Sequence, residues 1–448
     1  MIKKIIKTEI ETSSVPTKNV LENILATLYW QYFQNNRYRF YNRTKTETKV
    51  DSTDFRTWDL TTLFKEITAH FEASLQEHSK LKQTPVSTFD AILYKQKGSE
   101  EYRPTLFDLL AQNALAFYST SENNITRPAD KFEIDNPEFL CDGYIFTQMN
   151  ISTTDDTSLQ AKALCIYQKL LTLHLPSERP YTYAEVDIQR LHFIYQNAVF
   201  ENRDQQFLDV LQNAASAGNE NAASGLYYYE IAAFLNQQGN SYRPKTSEEN
   251  RWKKKEALEL CEKVLQGNQD SRGAEKCKAL KSQILAKSLQ LTTERHIPIN
   301  QTSRLLVNYK NYDGLKLTAR PITQKQWNTL QDLYPKEKKL AYIKKLPIKK
   351  SWEASVKNEN DYQQHSTEIL LPKLDNGRYL IVATTNNKEN TFAFNTLQVT
   401  NIAVVEKTEQ DKQVYQFIDR NNGKPLSNLQ VKITYRKNYR DNKSSKTY

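Results

Sequence analysis

Glycine is scarce in this sequence, with only 10 residues among 448, against about 7% in ordinary proteins. Phosphate-binding loops need glycine where the backbone approaches the phosphate, and neither a G-x-G-x-x-G pattern nor a P-loop occurs. Long apolar runs are also missing, since no stretch approaches the ~18 residues needed to span a bilayer. The mean hydropathy is −0.73. The sequence therefore predicts neither a nucleotide-binding loop nor a transmembrane segment.

Cysteine and histidine are few and widely spaced. The four cysteines include no C-x-x-C pair, which argues against a zinc knuckle. None of the six histidines forms H-x-x-x-H or H-E-x-x-H, and no G-x-S-x-G nucleophile elbow occurs. We therefore expect no metal, no cofactor and no catalytic residues, and predict that the chain is not an enzyme.

The charge is positive, because 62 lysines and arginines outnumber 52 acidic residues and give a net charge of +10. The densest basic run covers residues 335–350 and contains lysine but no arginine. Recognition of phosphates and bases favours the fork geometry of arginine. The run is therefore interpreted as a solvated surface element, and nucleic acid is not expected as a partner.

The first seven residues resemble the basic start of a signal peptide, but a polar segment follows where the apolar region should stand. We expect no signal peptide in this chain. Both ends look like cuts through a longer polypeptide.

The spacing of apolar residues changes near residue 300. Upstream, apolar residues recur at the 3.6-residue interval of amphipathic helices; downstream, they alternate as in strands. We therefore predict a multidomain chain that is all-α and then β, with a helical N-terminal region over residues 1–150. Regular helices are predicted to follow over residues 159–173, 183–199, 204–214, 222–235, 256–265 and 274–291.

Helices of this length, joined by short polar breaks, form stacked hairpins in which each pair buries its apolar face on the next. Residues 151–298 are therefore interpreted as tetratricopeptide-like helical hairpin repeats. In the clearest unit, over residues 256–286, Cys261 and Cys277 lie on facing sides of one hairpin. This arrangement predicts a packed structural thiol pair, with an oxidised bridge as the alternative.

Two blocks of alternating apolar residues complete the chain. The first, over residues 303–405, has short strands bounded by turn signals such as Asp313-Gly314, at the density of an antiparallel β-sandwich. The second begins at residue 406 and reaches residue 448 with too few strands to close. We predict that it is the truncated start of a second β domain.

Short motifs recur in order along both halves of the chain. In the helical half they are LYWQYFQNNR (28–37), YNRT (41–44) and PTLFDLLA (104–111). In the β half they are LLVNYKN (305–311), LKLTAR (315–320), DYQQHSTEI (361–369), LDNGRY (374–379), FIDR (417–420) and GKPL (423–426). Together they resemble the N-terminal part of bacterial, Bacteroidota-type, alpha-2-macroglobulin family proteins. The β motifs resemble the first macroglobulin domain and the start of the next.

This resemblance implies a part in protease trapping, in which a protease cuts a bait segment and a shell of macroglobulin domains collapses around it. An internal thioester between cysteine and glutamine often acylates the prey. The resemblance also implies a cell-envelope location, periplasmic or anchored at the outer membrane, with proteases and envelope proteins as partners.

The thioester needs Cys-x-x-Gln, and in this chain only Cys165 has a glutamine, Gln168, three residues on. Both residues stand in an apolar helical pattern, so we expect them to pack rather than react. The thioester and the bait would then lie in regions absent from this chain. The chain is accordingly interpreted as a non-catalytic scaffold.

The aromatic run Tyr227, Tyr228 and Tyr229 surrounds a predicted helix, so that two rings can enter the core and one can face a groove. Together with Trp252, which stands among lysines, these residues are the candidate partner-binding face. This feature keeps a second interpretation open, that of a helical-repeat module for protein binding or assembly in an outer-membrane complex.

Overall fold

The structure, a computed structural model, describes residues 2–44, 49, 51, 54–120, 122, 131–174, 178–217, 223–267, 270–385, 391–410, 412–432, 434–436 and 445–447. The chain divides into two compact units. The helical unit comprises Met1–Ser241 and Glu256–Ser282, and the β unit comprises Tyr242–Lys255 and Gln283–Tyr448. Part of the predicted second β domain (411, 433, 437–444 and 448) lies outside the described residues.

The first part of the chain is helical, as predicted. Its α-helices are Ile2–Thr12 (α1), Thr17–Tyr41 (α2), Leu60–Ser74 (α3), His78–Gln83 (α4), Leu106–Tyr118 (α5), Gly143–Gln148 (α6), Leu159–Leu173 (α7), Pro180–Asn197 (α8), Arg203–Ala217 (α9), Ser224–Gly239 (α10), Lys253–Gln266 (α11) and Arg272–Leu285 (α12). Short 3₁₀ segments lie at Phe55–Thr57, Val86–Ile92, Ser99–Glu101 and Pro137–Phe139.

Aromatic rings form the core where α2, α3 and α5 meet. Trp30 packs against Phe33 and Phe117, with centroids 5.4 and 5.2 Å apart, and Phe64 contacts both phenylalanines. Local capping fixes where these helices begin. Asp59 accepts a hydrogen bond of 2.7 Å from the amide of Thr62 at the start of α3, which satisfies one otherwise unpaired helical donor.

Helix α7 covers the residues predicted for it, and it packs against α8, which in turn packs against α9 and α10. Helices α10 and α12 approach each other closely at two glycines. A Cβ added to Gly273 would lie 2.6 Å from the carbonyl oxygen of Gly225. Glycine therefore permits this backbone contact, which no side chain could occupy.

The β unit contains two packed sheets. The described strands are Ser288–Thr293 (β1), His296–Ile297 (β2), Ser303–Lys310 (β3), Gly314–Pro321 (β4), Lys350–Ser355 (β5), His365–Leu371 (β6), Gly377–Thr384 (β7), Phe392–Val399 (β8), Ile402–Glu409 (β9), Lys412–Asp419 (β10), Thr434–Arg436 (β11) and Ser445–Thr447 (β12). One sheet has the order β1-β3-β6 and the other β2-β8-β7-β4-β5. Their pairings are antiparallel except for the parallel contact of β2 with β8.

The sandwich core lies between these two sheets. It includes four fully buried residues, which are Leu305 and Val307 from β3, Leu317 from β4 and Ile381 from β7. Alternation along β3 and the first half of β4 places these residues inward and Arg304, Leu306 and Lys316 outward. The predicted order of a helical region followed by a largely antiparallel sandwich is confirmed.

Residues 303–405 also contain two helices that the sequence pattern did not predict. Two helices, Gln324–Asp332 (α13) and Lys336–Lys345 (α14), lie between β4 and β5. Their apolar residues pack on the outer face of the five-stranded sheet, where Leu340 and Ile343 join Leu380 and Val382 in a second cluster. Strand β7 is therefore covered on both faces, which explains its continuous apolar run.

The predicted helix over residues 274–291 also extends too far. Helix α12 ends at Leu285, where the side-chain amide of Asn311 donates to the carbonyls of Ile284 and Leu285 at 3.2 and 3.1 Å. Residues Ser288–Thr293 then pair with β3. The sandwich consequently begins before residue 303.

The prediction places residues up to 405 in the first sandwich, but β9 lies outside the two sheets of that sandwich. It pairs with β10 in a separate two-stranded sheet. Residues 402–405 thus belong to the following hairpin.

Candidate partner-binding face

The tyrosine run on α10 divides between core and surface. Tyr227 and Tyr228 are 5% and 7% exposed, whereas Tyr229 is half-buried. Three consecutive helical residues point about 100° apart, so they cannot share one environment. Only Tyr229 presents much of its ring at the surface.

Tyr227 belongs to a buried ionic network. Its hydroxyl donates to Asp187 Oδ2 at 3.0 Å, and Arg190 donates to Asp187 Oδ1 at 2.6 and 2.9 Å. Arg190 also donates to the carbonyls of Phe139 and Cys141. The guanidinium is fully buried, so each of these bonds compensates for lost hydration. Tyr227 is therefore a structural residue.

Lysines from two neighbouring helices cover the other two tyrosines. Lys263 Nζ of α11 lies 4.7 Å from the ring centroid of Tyr228, and Lys276 Nζ of α12 lies 4.6 Å from that of Tyr229. Both distances fall within the range of cation–π attraction. We call Tyr229, Lys263 and Lys276 the tyrosine–lysine face. It combines aromatic surface with positive charge.

Glu230 anchors one side of this face. Its two carboxylate oxygens contact His192 Nε2 at 3.0 Å and Lys276 Nζ at 3.2 Å. Burial alone would raise the pKa of Glu230, but the hydrogen bond with His192 and the charge of Lys276 outweigh burial and hold that pKa below its ordinary value of 4.5. Glu230 therefore remains ionised and fixes Lys276 beside Tyr229.

This lowered pKa predicts acid sensitivity in the helical unit. A carboxyl whose pKa is lower in the folded than in the unfolded state contributes stability that is complete above the unfolded value, and that is lost as the pH falls through the folded value. We expect Glu230→Gln to lower stability at pH 7 by about 1 kcal/mol and to reduce the further loss below about pH 4.5. Thermal unfolding followed by circular dichroism at several pH values measures both effects.

Glu259→Gln is the matched control, because Glu259 is an exposed carboxylate on the neighbouring α11. It should leave stability at pH 7 unchanged. An identical acid-induced loss in the Glu230→Gln variant and the unmodified chain would contradict the assignment.

Trp252 lies in the β unit, and the residue is 45% exposed. The Arg251 guanidinium carbon lies 5.1 Å from the ring centroid. Arg251 itself is held by Asp361 at 3.0 Å and by Glu359 at 3.2 Å. That Trp252 acts with the tyrosines as one partner-binding face stays a prediction.

Cys261 and Cys277 are both completely buried and are free thiols. The hydrogen bond between them and their burial raise the pKa of the Cys277 thiol. The two side chains thus meet across the α11–α12 hairpin as packed thiols.

Cys165 and Gln168 lie on the same helix, α7, and are partly buried. The amide nitrogen of Gln168 donates to the carbonyls of Phe146 and Met149 at 2.9 and 2.8 Å. These two bonds hold the end of α6 against α7. Burial raises the pKa of the Cys165 thiol.

Sequence reasoning missed the charged partners of the tyrosines. Asp187 and Arg190 stand three residues apart in α8 among apolar neighbours, a spacing that could have indicated a buried ion pair. Lys263 and Lys276 gave no such signal, because each meets its tyrosine only through helix packing.

In the described part of the chain, no group of three or more histidine, cysteine, aspartate or glutamate side chains could hold a metal ion. None of the helices described is both long and apolar enough to cross a membrane.

No family model matches this chain, and no curated protein does either. Among solved structures, it is similar to a fragment of native alpha-2-macroglobulin from Escherichia coli spanning domains MG0-NIE-MG1. That match has 15% identity and a TM-score of 0.25, and it covers 36% of this chain and 54% of the fragment. A CARDB domain from Pyrococcus furiosus is matched at 12% identity and a TM-score of 0.15, over 25% of this chain and 92% of the domain.

The alkylpurine DNA glycosylase AlkC of Pseudomonas fluorescens is also matched, at 12% identity and a TM-score of 0.14, over 64% of this chain and 98% of the enzyme. At TM-scores of 0.25 and below, these likenesses carry no argument about function. The chain spans about half of the E. coli fragment that it matches.

Proposed function

We propose that this chain is a non-catalytic N-terminal scaffold of a bacterial alpha-2-macroglobulin-like envelope protein of the Bacteroidota type. The observation that supports this proposal is the position of the family-like motifs. Residues 305–311 and 315–320 fall largely on β3 and β4, which contribute to the two facing sheets of one sandwich. Motifs that resemble consecutive parts of a macroglobulin domain thus occupy one folded unit.

The hairpin β9–β10 supports the further proposal that a second macroglobulin domain starts here. Val404 and Val405 of β9, and Val414 and Tyr415 of β10, are each more than 40% exposed. A two-stranded sheet with uncovered apolar side chains is marginally stable by itself. Additional strands of the same domain would cover these residues.

The proposed role is tested with the complete protein that contains this chain. We expect the complete protein to block digestion of a large protein substrate by an added endopeptidase and to be cut once in its bait. This chain alone should do neither, because the bait would lie elsewhere. Residual proteolysis and co-elution of protease with the protein on size exclusion measure the two effects.

Two outcomes would overturn the proposal. One is a complete protein that leaves proteolysis unchanged at a several-fold molar excess. The other is inhibition by this chain alone at a one-to-one ratio, which would make it an inhibitor in its own right.

A second candidate function is binding or assembly of envelope proteins, and the tyrosine–lysine face favours it. Aromatic residues are enriched at binding surfaces, and Tyr229 is a half-buried aromatic residue of this face. A photo-crosslinking amino acid at position 229 should then capture a defined outer-membrane protein, whereas the same group at the buried position 228 should not. Equal capture from both positions would contradict this function.

A further inference from the structure

Among the described residues, a dense group of lysines lies on and just after the helical hairpin α13–α14. Residues 324–350 contain eight lysines, no arginine, and two acidic residues, Asp332 and Glu337. Two of these lysines have partners: Lys349 pairs with Asp375 at 2.9 Å, and Lys336 Nζ lies 5.1 Å from the ring centroid of Phe392. The remaining charge is concentrated on α14.

Packing fixes which side of α14 meets solvent. Leu340 and Ile343 are buried against the sheet, and Leu346 follows them into the same cluster. Lys338, Lys344 and Lys345 are exposed and Lys339 is half-buried; we call these four the lysine face. Within the described part of the chain, none of the four makes an ion pair.

Exposed apolar side chains flank the lysine face at both ends of α14. Tyr334, just before the helix, is 87% exposed, and Ile348, just after it, is 54% exposed. Ten helical residues separate them by roughly 15–20 Å. Lysines attract an anionic partner, and the Tyr334 ring and the Ile348 side chain favour a partner that has an apolar layer beneath its charged surface.

We propose that the lysine face, with Tyr334 and Ile348, docks the β unit onto an anionic lipid bilayer. Anionic headgroups attract lysines without requiring a fixed geometry, and tyrosine favours the headgroup level of a membrane. A nucleic-acid site is less suited to this surface, because it lacks the arginine forks that phosphates and bases favour. The inference does not depend on the proposed function.

The test is sedimentation of the full chain with vesicles. We expect binding to phosphatidylcholine vesicles containing about one third phosphatidylglycerol, and no binding to pure phosphatidylcholine. Each lysine near such a surface contributes roughly a factor of five to partitioning. The variant K338Q/K339Q/K344Q/K345Q should therefore lose roughly 600-fold in partitioning, whereas the corresponding arginine variant should retain binding.

The matched control removes the same charge elsewhere. Lys18, Lys65, Lys97 and Lys278 are exposed residues of the helical unit, and changing all four to glutamine should alter partitioning only slightly. The single variants Tyr334→Ser and Ile348→Ser should each weaken binding several-fold without changing the circular dichroism spectrum. Inorganic phosphate at millimolar concentration should not displace the vesicles.

Three results would overturn the proposal. Equal losses from the two quadruple variants would show that net charge alone attracts the chain. Equal binding to both vesicle types would exclude an anionic preference. Binding of duplex DNA through the same four lysines, as tight as vesicle binding, would assign the surface to nucleic acid.

Discussion

Asp187→Ala is expected to destabilise the helical unit by about 3–5 kcal/mol, because it leaves the fully buried guanidinium of Arg190 without a counter-charge. The same change removes the acceptor for the Tyr227 hydroxyl. Thermal and urea unfolding monitored by circular dichroism at 222 nm would record the loss. Most of the helical signal comes from this unit, so its transition can be followed in the full chain.

Two further variants separate charge from packing. Tyr227→Phe removes one hydroxyl and should cost only about 1 kcal/mol. The double variant D187L/R190M removes both charges and should recover part of the loss, since a buried ion pair can be replaced by apolar side chains of similar volume. Recovery will be incomplete, because Arg190 also satisfies the carbonyls of Phe139 and Cys141. Equal losses in Asp187→Ala and Tyr227→Phe would show that the ion pair is not important.

Gly273→Ala is expected to separate α10 from α12 and to destabilise the chain by about 1–3 kcal/mol, as overpacking does in cores. The added methyl would meet the backbone of Gly225, with its Cα at 2.8 Å and its carbonyl oxygen at 2.6 Å. Backbone atoms cannot rotate away as a flexible side chain would. The helices themselves must therefore shift, and the same unfolding measurements would detect this.

Gly225→Ala is the control at the same helix crossing. A methyl there would meet Val264 Cγ1 at 3.4 Å, which is ordinary contact. Because alanine favours a helix over glycine by roughly 0.5–1 kcal/mol, this variant should be neutral or slightly stabilised. Similar effects from both substitutions would contradict the close approach of the Gly273 and Gly225 backbones.

The spacing of apolar residues correctly predicted helices and strands that bury only one face. Helix α7 begins and ends at the predicted residues, and β3 alternates as its sequence does. The same spacing gave the wrong element over residues 288–291, where the chain pairs with β3. Leu289 and Leu291 alternate with polar residues as in a strand, but they directly follow a helical pattern, and the predicted helix therefore runs through them although they form β1.

The candidate face was predictable only in outline. Three adjacent tyrosines on a helix must divide between core and surface, and Tyr229 is the one that remains partly outside. Which charges it meets could not be read from the chain, because Lys276 is brought to it by the packing of α12. Likewise, the sequence showed the positive charge of the lysine run. It did not predict that these lysines lie on a helix that covers the sheet.

The amino-acid sequence by itself determined the order of helices and strands, because period and capping act over a few neighbouring residues. Tertiary structure alone decided that Arg190 is neutralised in the core, that α10 and α12 touch at two glycines, and that one side of α14 is left to solvent. Those outcomes depend on groups far apart along the chain, whose meeting is set by how the elements pack.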